Sequence, residues 1–120
     1  MRVLGIEGTA WAASAAVYDS NGDTVDTETE AYEPDSGGIH PREASEHMAE
    51  HLPQVIETVL ARNRVDEGGE DTGDNGGSAA IDAVAFSRGP GLGPCLRVAG
   101  TAARALAQRL DVPLVGVSHM

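Results

Sequence analysis

A short apolar run, Ile81-Asp82-Ala83-Val84-Ala85-Phe86, leads into Ser87-Arg88-Gly89-Pro90-Gly91-Leu92-Gly93-Pro94, and a helical pattern from Leu96 to Leu110 leads out. A strand, a glycine-rich turn and a helix N-terminus therefore follow in order. The first backbone N–H groups of a helix have no internal partner and carry partial positive charge. Glycines in front of them let a phosphate or carboxylate approach closely. Taken alone, the glycines fit a tight strand-to-helix turn without any ligand equally well.

The rest of the chain builds outward from this unit. Met1 to Gly8 reads as a buried strand and Ala13 to Tyr18 as a second, with Ser20-Asn21-Gly22-Asp23 as a hairpin turn. Thr24 to Tyr32 alternates and is rich in Thr and Val, so it reads as a third strand. Its acids place it on an exposed face or at a sheet edge. Pro34 to Pro41 is a loop containing Gly37-Gly38. From Arg42 to about Arg64, Ala44, Met48, Leu52, Val55, Ile56, Val59 and Leu60 recur at helical spacing. Pro53 lies inside that helix and is expected to kink or split it. Asp66 to Ser78 holds five acids and five glycines and reads as a flexible acidic insert. In the helix from Leu96 to Leu110 the expected buried stripe is Val98, Ala102, Ala105, Leu106 and Leu110. Asp111-Val112-Pro113 ends it, and Leu114 to Val117 is a fifth strand.

Composition narrows what such a chain does. Its 120 residues suit one domain, and the 3% aromatic content leaves the core to Ala, Val, Leu and Ile. No apolar run reaches the roughly 18 residues of a membrane span, and no signal-peptide layout opens the chain, so a cytoplasmic protein is expected. The single Cys95 excludes an internal disulfide. Net charge is −11, and all eight basic residues are Arg. Such a surface fits a cytoplasm of very high salt, where repulsion between carboxylates is screened. It argues against a broad basic patch for nucleic acid, though not against a local Arg-lined RNA site.

The order β-β-β-α-β-α-β describes a meander followed by two parallel strands reached through helical crossovers. The fold class is α/β, a ribonuclease H-like sheet of the kind that forms one lobe of the actin-like ATPase (ASKHA) and sugar-kinase superfold. In that superfold a ligand sits between two lobes. Residues 1–120 match one lobe, with the second absent from this chain.

Four motifs in order resemble one family: Val3-Leu4-Gly5-Ile6-Glu7-Gly8-Thr9-Ala10; Gly37-Gly38-Ile39-His40-Pro41 with Ala44 and His47; Ser87 to Arg97 running on through Thr101-Ala102-Ala103-Arg104-Ala105-Leu106-Ala107; and Val115-Gly116-Val117-Ser118-His119. The chain resembles the N-terminal lobe of the TsaD/Kae family, the tRNA threonylcarbamoyladenosine transferases and catalytic subunit of the archaeal KEOPS complex, in its halophilic archaeal form. The resemblance implies transfer of a threonylcarbamoyl group from its adenylate to the exocyclic amine of the adenosine beside the anticodon. It implies one divalent iron or zinc, bound by two histidines four apart and by residues of the second lobe, with threonylcarbamoyl-adenylate or ATP as nucleotide ligand. A Lewis acid there orients the acyl donor and stabilises developing negative charge. The partners implied are tRNA, a small helical KEOPS subunit docking on the helices, and a Bud-type kinase fused downstream in some relatives; no membrane is involved.

The resemblance marks His119 as a metal ligand, and Glu7, Gly8, Thr9, Gly89 and Gly91 as the nucleotide or phosphate turn and cleft. No catalytic residue is assigned, and the lobe alone is expected to be inactive. Trp11 stands where the family often has histidine. His47 and His51 form a helical pair four apart without an evident third ligand, which a metal site needs. Cys95 reads as a small helix-start residue lining the cleft, and Arg97 as a partner for a phosphate or a local acid. Two other readings stay open: a noncatalytic dimerisation partner of the enzyme, and a lobe of a small-molecule kinase. His119 and the intact Gly89-Pro90-Gly91 favour the enzyme; kinases of the superfold usually open with Asp rather than Glu7 before Gly-Thr.

Overall fold

The computed structural model describes residues 1–8, 11–33, 40–63, 81–89 and 91–118. The elements are β1 (Arg2–Glu7), β2 (Ala12–Asp19), β3 (Thr24–Ala31), α1 (Pro41–Arg62), β4 (Ala83–Gly89), α2 (Gly93–Leu110) and β5 (Leu114–Ser118). Five strands form one sheet in the order β3-β2-β1-β4-β5. The β1–β2 and β2–β3 pairs are antiparallel, and β1–β4 and β4–β5 are parallel. This is the expected meander followed by two crossovers. The acidic insert from Asp66 to Ser78 and the Gly37-Gly38 loop lie outside the described residues.

Alternation along the strands decides which sheet face is the core. Leu4 pairs with Val17 and with Val84, and Ile6 with Ala15, so these side chains share one face. All five are buried. Helix α1 packs on β2 and β3, α2 packs on β4, and the two helices touch each other. Met48, Leu52, Val55, Ile56, Val59 and Leu60 seal the α1 side. Edge strand β3 turns Asp26 and Glu28 toward Arg62 at the end of α1; Arg62 Nη2 donates to Asp26 Oδ1 at 2.7 Å and Nε to Oδ2 at 3.0 Å.

The structure corrects three expectations. Helix α1 starts at Pro41 and runs unsplit through Pro53 for 22 residues. Proline forfeits one hydrogen bond, but Pro53 is exposed while Leu52, Val55 and Ile56 on either side of it are buried. Packing on both sides of Pro53 thus keeps the helix continuous. Helix α2 starts at Gly93, because Gly93 and Pro94 fit a first turn whose N–H groups need no helical partner. Its buried stripe is Cys95, Ala99, Ala103, Ala107 and Leu110, while Val98, Ala102 and Leu106 are flanks and Ala105 is exposed. The small side chains face inward because the helix lies close against the sheet and α1. A Cβ on Gly8 would come within 3.1 Å of Ala99 Cβ and 3.0 Å of Met48 Sδ.

Candidate functional site

Three parallel strands bring their carboxyl ends to one edge of the sheet. Ile6 pairs with Phe86, Ser87 with Val117 and Gly89 with Ser118. Glu7, Gly89 and Ser118 therefore end neighbouring strands, the edge where open α/β sheets take their ligands. The strand β4 runs on through Ser87 and Arg88 to Gly89, further than the apolar run predicts, because β5 continues to pair with it. A register shift between Ser87 and Gly89 bends this end, and Gly89 adopts φ +146°, a conformation that side chains disfavour. Here the glycine is required by the backbone.

Beyond it, Leu92 caps α2 with extended backbone and no side-chain hydrogen bond, and the first turn carries no acid. The Gly93 and Cys95 N–H groups have no helical acceptor, while Pro94 has no N–H. An uncapped helix end of this kind can hold a phosphate or a polarised carbonyl. Gly91 is exposed on the approach to it.

Gly8 has a different reason to be glycine: it is buried where α1 and α2 converge, and packing excludes a side chain there. Thr9 and His119 lie outside the described residues. Cys95 does not line the cleft. It is fully buried in the core, and burial pushes its thiol above the usual range, which makes it inert.

The histidine pair belongs to a ladder of rings. Trp11 and Tyr32 have centroids 6.2 Å apart, Tyr32 and His47 5.7 Å, and His47 and His51 4.4 Å. His47 Nε2 meets the Glu30 carbonyl at 3.0 Å and His51 Nδ1 meets Gln54 Oε1 at 3.3 Å. The Tyr32 hydroxyl donates to Glu43 Oε1 at 3.3 Å and accepts from the His40 N–H at 3.4 Å. Burial raises the Tyr32 pKa, so it stays a donor. The pair thus pins α1 to the end of β3. Among the described residues no group of three or more His, Cys, Asp or Glu is placed to hold a metal.

Sequence reasoning missed a hollow of about 350 Å³ on the sheet face opposite the helices, which Glu7 shares with Ser14, Thr27 and Ser87. Glu7, Ser14 and Ser87 follow or precede the inward-facing Ile6, Ala15 and Phe86 along β1, β2 and β4, and that period-two pattern is the signal that could have found it. It adjoins the strand ends through Glu7, Ser87 and Val117.

Comparisons with known proteins converge on one family. The family model described as TsaD, tRNA N6-adenosine threonylcarbamoyltransferase, matches residues 23–120. A Halobacterium salinarum protein named "Probable bifunctional tRNA threonylcarbamoyladenosine biosynthesis protein" is 66% identical over all of this chain and 20% of its own length. A Methanococcoides burtonii tRNA N6-adenosine threonylcarbamoyltransferase is 55% identical over 98% of this chain and 32% of its own length. The chain thus spans a fifth to a third of these relatives. Among solved structures, YeaZ from Pseudomonas aeruginosa superimposes with a TM-score of 0.70 over 98% of this chain and 42% of its own, at 22% identity, a likeness of fold.

Proposed function

The chain belongs to the tRNA N6-adenosine threonylcarbamoyltransferase (TsaD) family, and from that membership we propose that it forms one wall of the cleft in which threonylcarbamoyl passes from its adenylate to tRNA. The observation that carries this reading is that Glu7, Gly89 and Ser118 end neighbouring parallel strands and that the uncapped start of α2 follows Gly89 in the chain. In the transfer, the exocyclic nitrogen of adenosine bonds to the carbamoyl carbon. The bond from that carbon to the phosphate oxygen breaks, AMP leaves with the electron pair, and the amine gives up a proton. The share of this lobe is to hold the phosphate of the adenylate. The Gly93 N–H group and the Gly89 backbone supply a donor and close approach, with exposed Gly91 before them; Gly8 and Thr9 belong to the nucleotide turn in this proposal through the family resemblance alone.

The iron or zinc ion belongs to this proposal through His119, next in the chain after β5. The described residues alone do not fit a metal, and no step is assigned to it. The tRNA is the acyl acceptor. In this proposal a small helical KEOPS subunit docks on the helices, where Ala49, Val98 and Ala102 line an outer groove between α1 and α2 that shares Arg97 and Thr101 with the neighbouring notch of α2. The word "bifunctional" in the name of the Halobacterium salinarum relative supports a fused kinase in the longer protein. The charge of −11 without lysine supports a cytoplasm of high salt. No helix among the described residues is long and apolar enough to cross a membrane.

The test is a chimera in which this chain replaces the matching segment of the Halobacterium salinarum relative. Threonylcarbamoyladenosine is then measured in tRNA by nucleoside chromatography. Retained modification is expected. A folded chimera that leaves tRNA unmodified would overturn the reading.

A further inference from the structure

Charge is distributed unevenly along this chain. Residues 83–110 contain four of its eight arginines and no Asp or Glu, in a molecule of net charge −11. Arg2 and Arg62 are tied to acids across the sheet. Among the described residues Arg88, Arg97 and Arg104 form no ion pair. The fold gathers these three on one side of the molecule. A notch of about 500 Å³ between α2 and the β4–β5 edge is lined by Phe86, Arg97, Gly100, Thr101, Arg104 and Leu114. Arg88 flanks it: its Cδ lies 3.2 Å from where a Cβ on Gly116 would stand. Asp111, seven residues after Arg104, lines the adjoining hollow with it.

We propose that this arginine-lined notch is a contact surface for the phosphodiester backbone of an RNA strand, distinct from the strand-end cleft. Arg97 and Arg104 are seven residues apart, about 10 Å along the helix axis. That spacing suits separate phosphates of one strand better than the clamping of one small anion. Arginine forks bind phosphate bidentately and in short range, which suits a protein whose net charge repels RNA at a distance. Thr101 adds a hydroxyl between the two arginines, and Gly100 leaves the floor of the notch low for a bulky backbone.

An acidic protein partner fits less well. Protein interfaces are anchored by a central cluster of aromatic or aliphatic side chains. The notch itself offers only two half-buried apolar side chains, Phe86 and Leu114, and among the described residues the large exposed ones, Met1, Trp11, Tyr18, Val25, Val115 and Val117, all lie outside it. Tyr18, Val25, Val115 and Val117 project from the opposite sheet face, as strand alternation requires.

This inference rests on the proposed function for the identity of the RNA, and its test is kept separate from activity. The probe is unmodified tRNA binding to the chimera described above, measured by fluorescence anisotropy across a KCl series. The triple variant Arg88→Gln, Arg97→Gln, Arg104→Gln is compared with Arg109→Gln, which removes one charge from the same helix outside the notch. The triple variant is expected to weaken binding at least tenfold and to reduce the slope of log affinity against log salt by about 2, roughly 0.7 for each of three phosphates of a strand no longer neutralised. Arg109→Gln should leave both nearly unchanged. Unchanged affinity and slope in a folded triple variant would overturn the proposal, including the case in which that variant instead releases an acidic protein subunit. An inactive chimera that still binds tRNA through these arginines would count against the transferase reading and leave this one standing.

Discussion

At the residue scale, the glycines of the strand-end site serve different physical purposes. Gly89 holds φ +146°, and a Cβ on Gly8 would press on Met48 Sδ at 3.0 Å and on Ala99 Cβ at 3.1 Å. Gly93, in the first turn of α2, faces open space. Gly8→Ala should therefore lower stability by about 1–3 kcal/mol, since Met48 can yield but Ala99 is fixed by its helix. Gly93→Ala should raise it by about 0.4–1 kcal/mol by restricting the unfolded chain. Urea unfolding of both variants checks the pair; equal effects would mean that packing does not separate the two positions. The sequence displays all three as glycines beside phosphate-like motifs. It does not show that Gly8 is there for packing, because Met48 and Ala99 reach it from helices distant in the chain. Cys95 is illegible for the same reason: its position at a helix start invites a reactive reading, and only the core around it shows that it is inert.

At the element scale, α1 is fastened to edge strand β3 at both ends. Tyr32 and His47 hold its start, and the Arg62 fork with the Asn63 amide holds its end on Asp26. The hydrogen bond and charge of Arg62 hold the Asp26 carboxyl below its ordinary range. A depressed folded-state pKa means that the contribution is fully present above the unfolded value, about 3.9, and is lost as pH falls through the folded value. The pair is exposed, so the effect is modest and screened by salt. Denaturant midpoints measured between about pH 2 and pH 6 should fall more steeply with acid for the native chain than for Arg62→Gln. Parallel curves would show that the fork contributes nothing. The order of elements was legible because each carries its own period, two in the strands and 3.6 in the helices. The buried face of α2 was not. Val98 and Leu106 are the more apolar choice, yet the alanine stripe faces inward, because sheet and α1 leave room only for small side chains. Pro53 misled as to a split: local chemistry allows a kink or a break, and buried neighbours on both sides of it keep the helix continuous.

At the scale of the whole molecule, a charge of −11 sits on 120 residues, so the folded state carries a self-repulsion that no single contact relieves. The aromatic-poor core and a sheet clothed by the two helices on one face leave little reserve against it. Stability should consequently depend on salt in two stages. Screening dominates first: the Debye length shrinks from about 10 Å at 0.1 M to about 3 Å at 1 M, so most repulsion is gone by the latter concentration. Any further gain must come from another source. Val25, Val115 and Val117 on the open sheet face are between 48% and 63% exposed, and a salting-out anion strengthens burial of such surface in any state that covers it. Thermal melts in KCl should therefore rise steeply to about 1 M and then flatten, if repulsion is the controlling term. Replacing KCl by potassium sulfate at matched ionic strength should extend the rise and promote self-association through that face. A flat response from the lowest salt upward would show that the acids are spaced widely enough not to burden the fold, and the high-salt reading of the composition would fall with it.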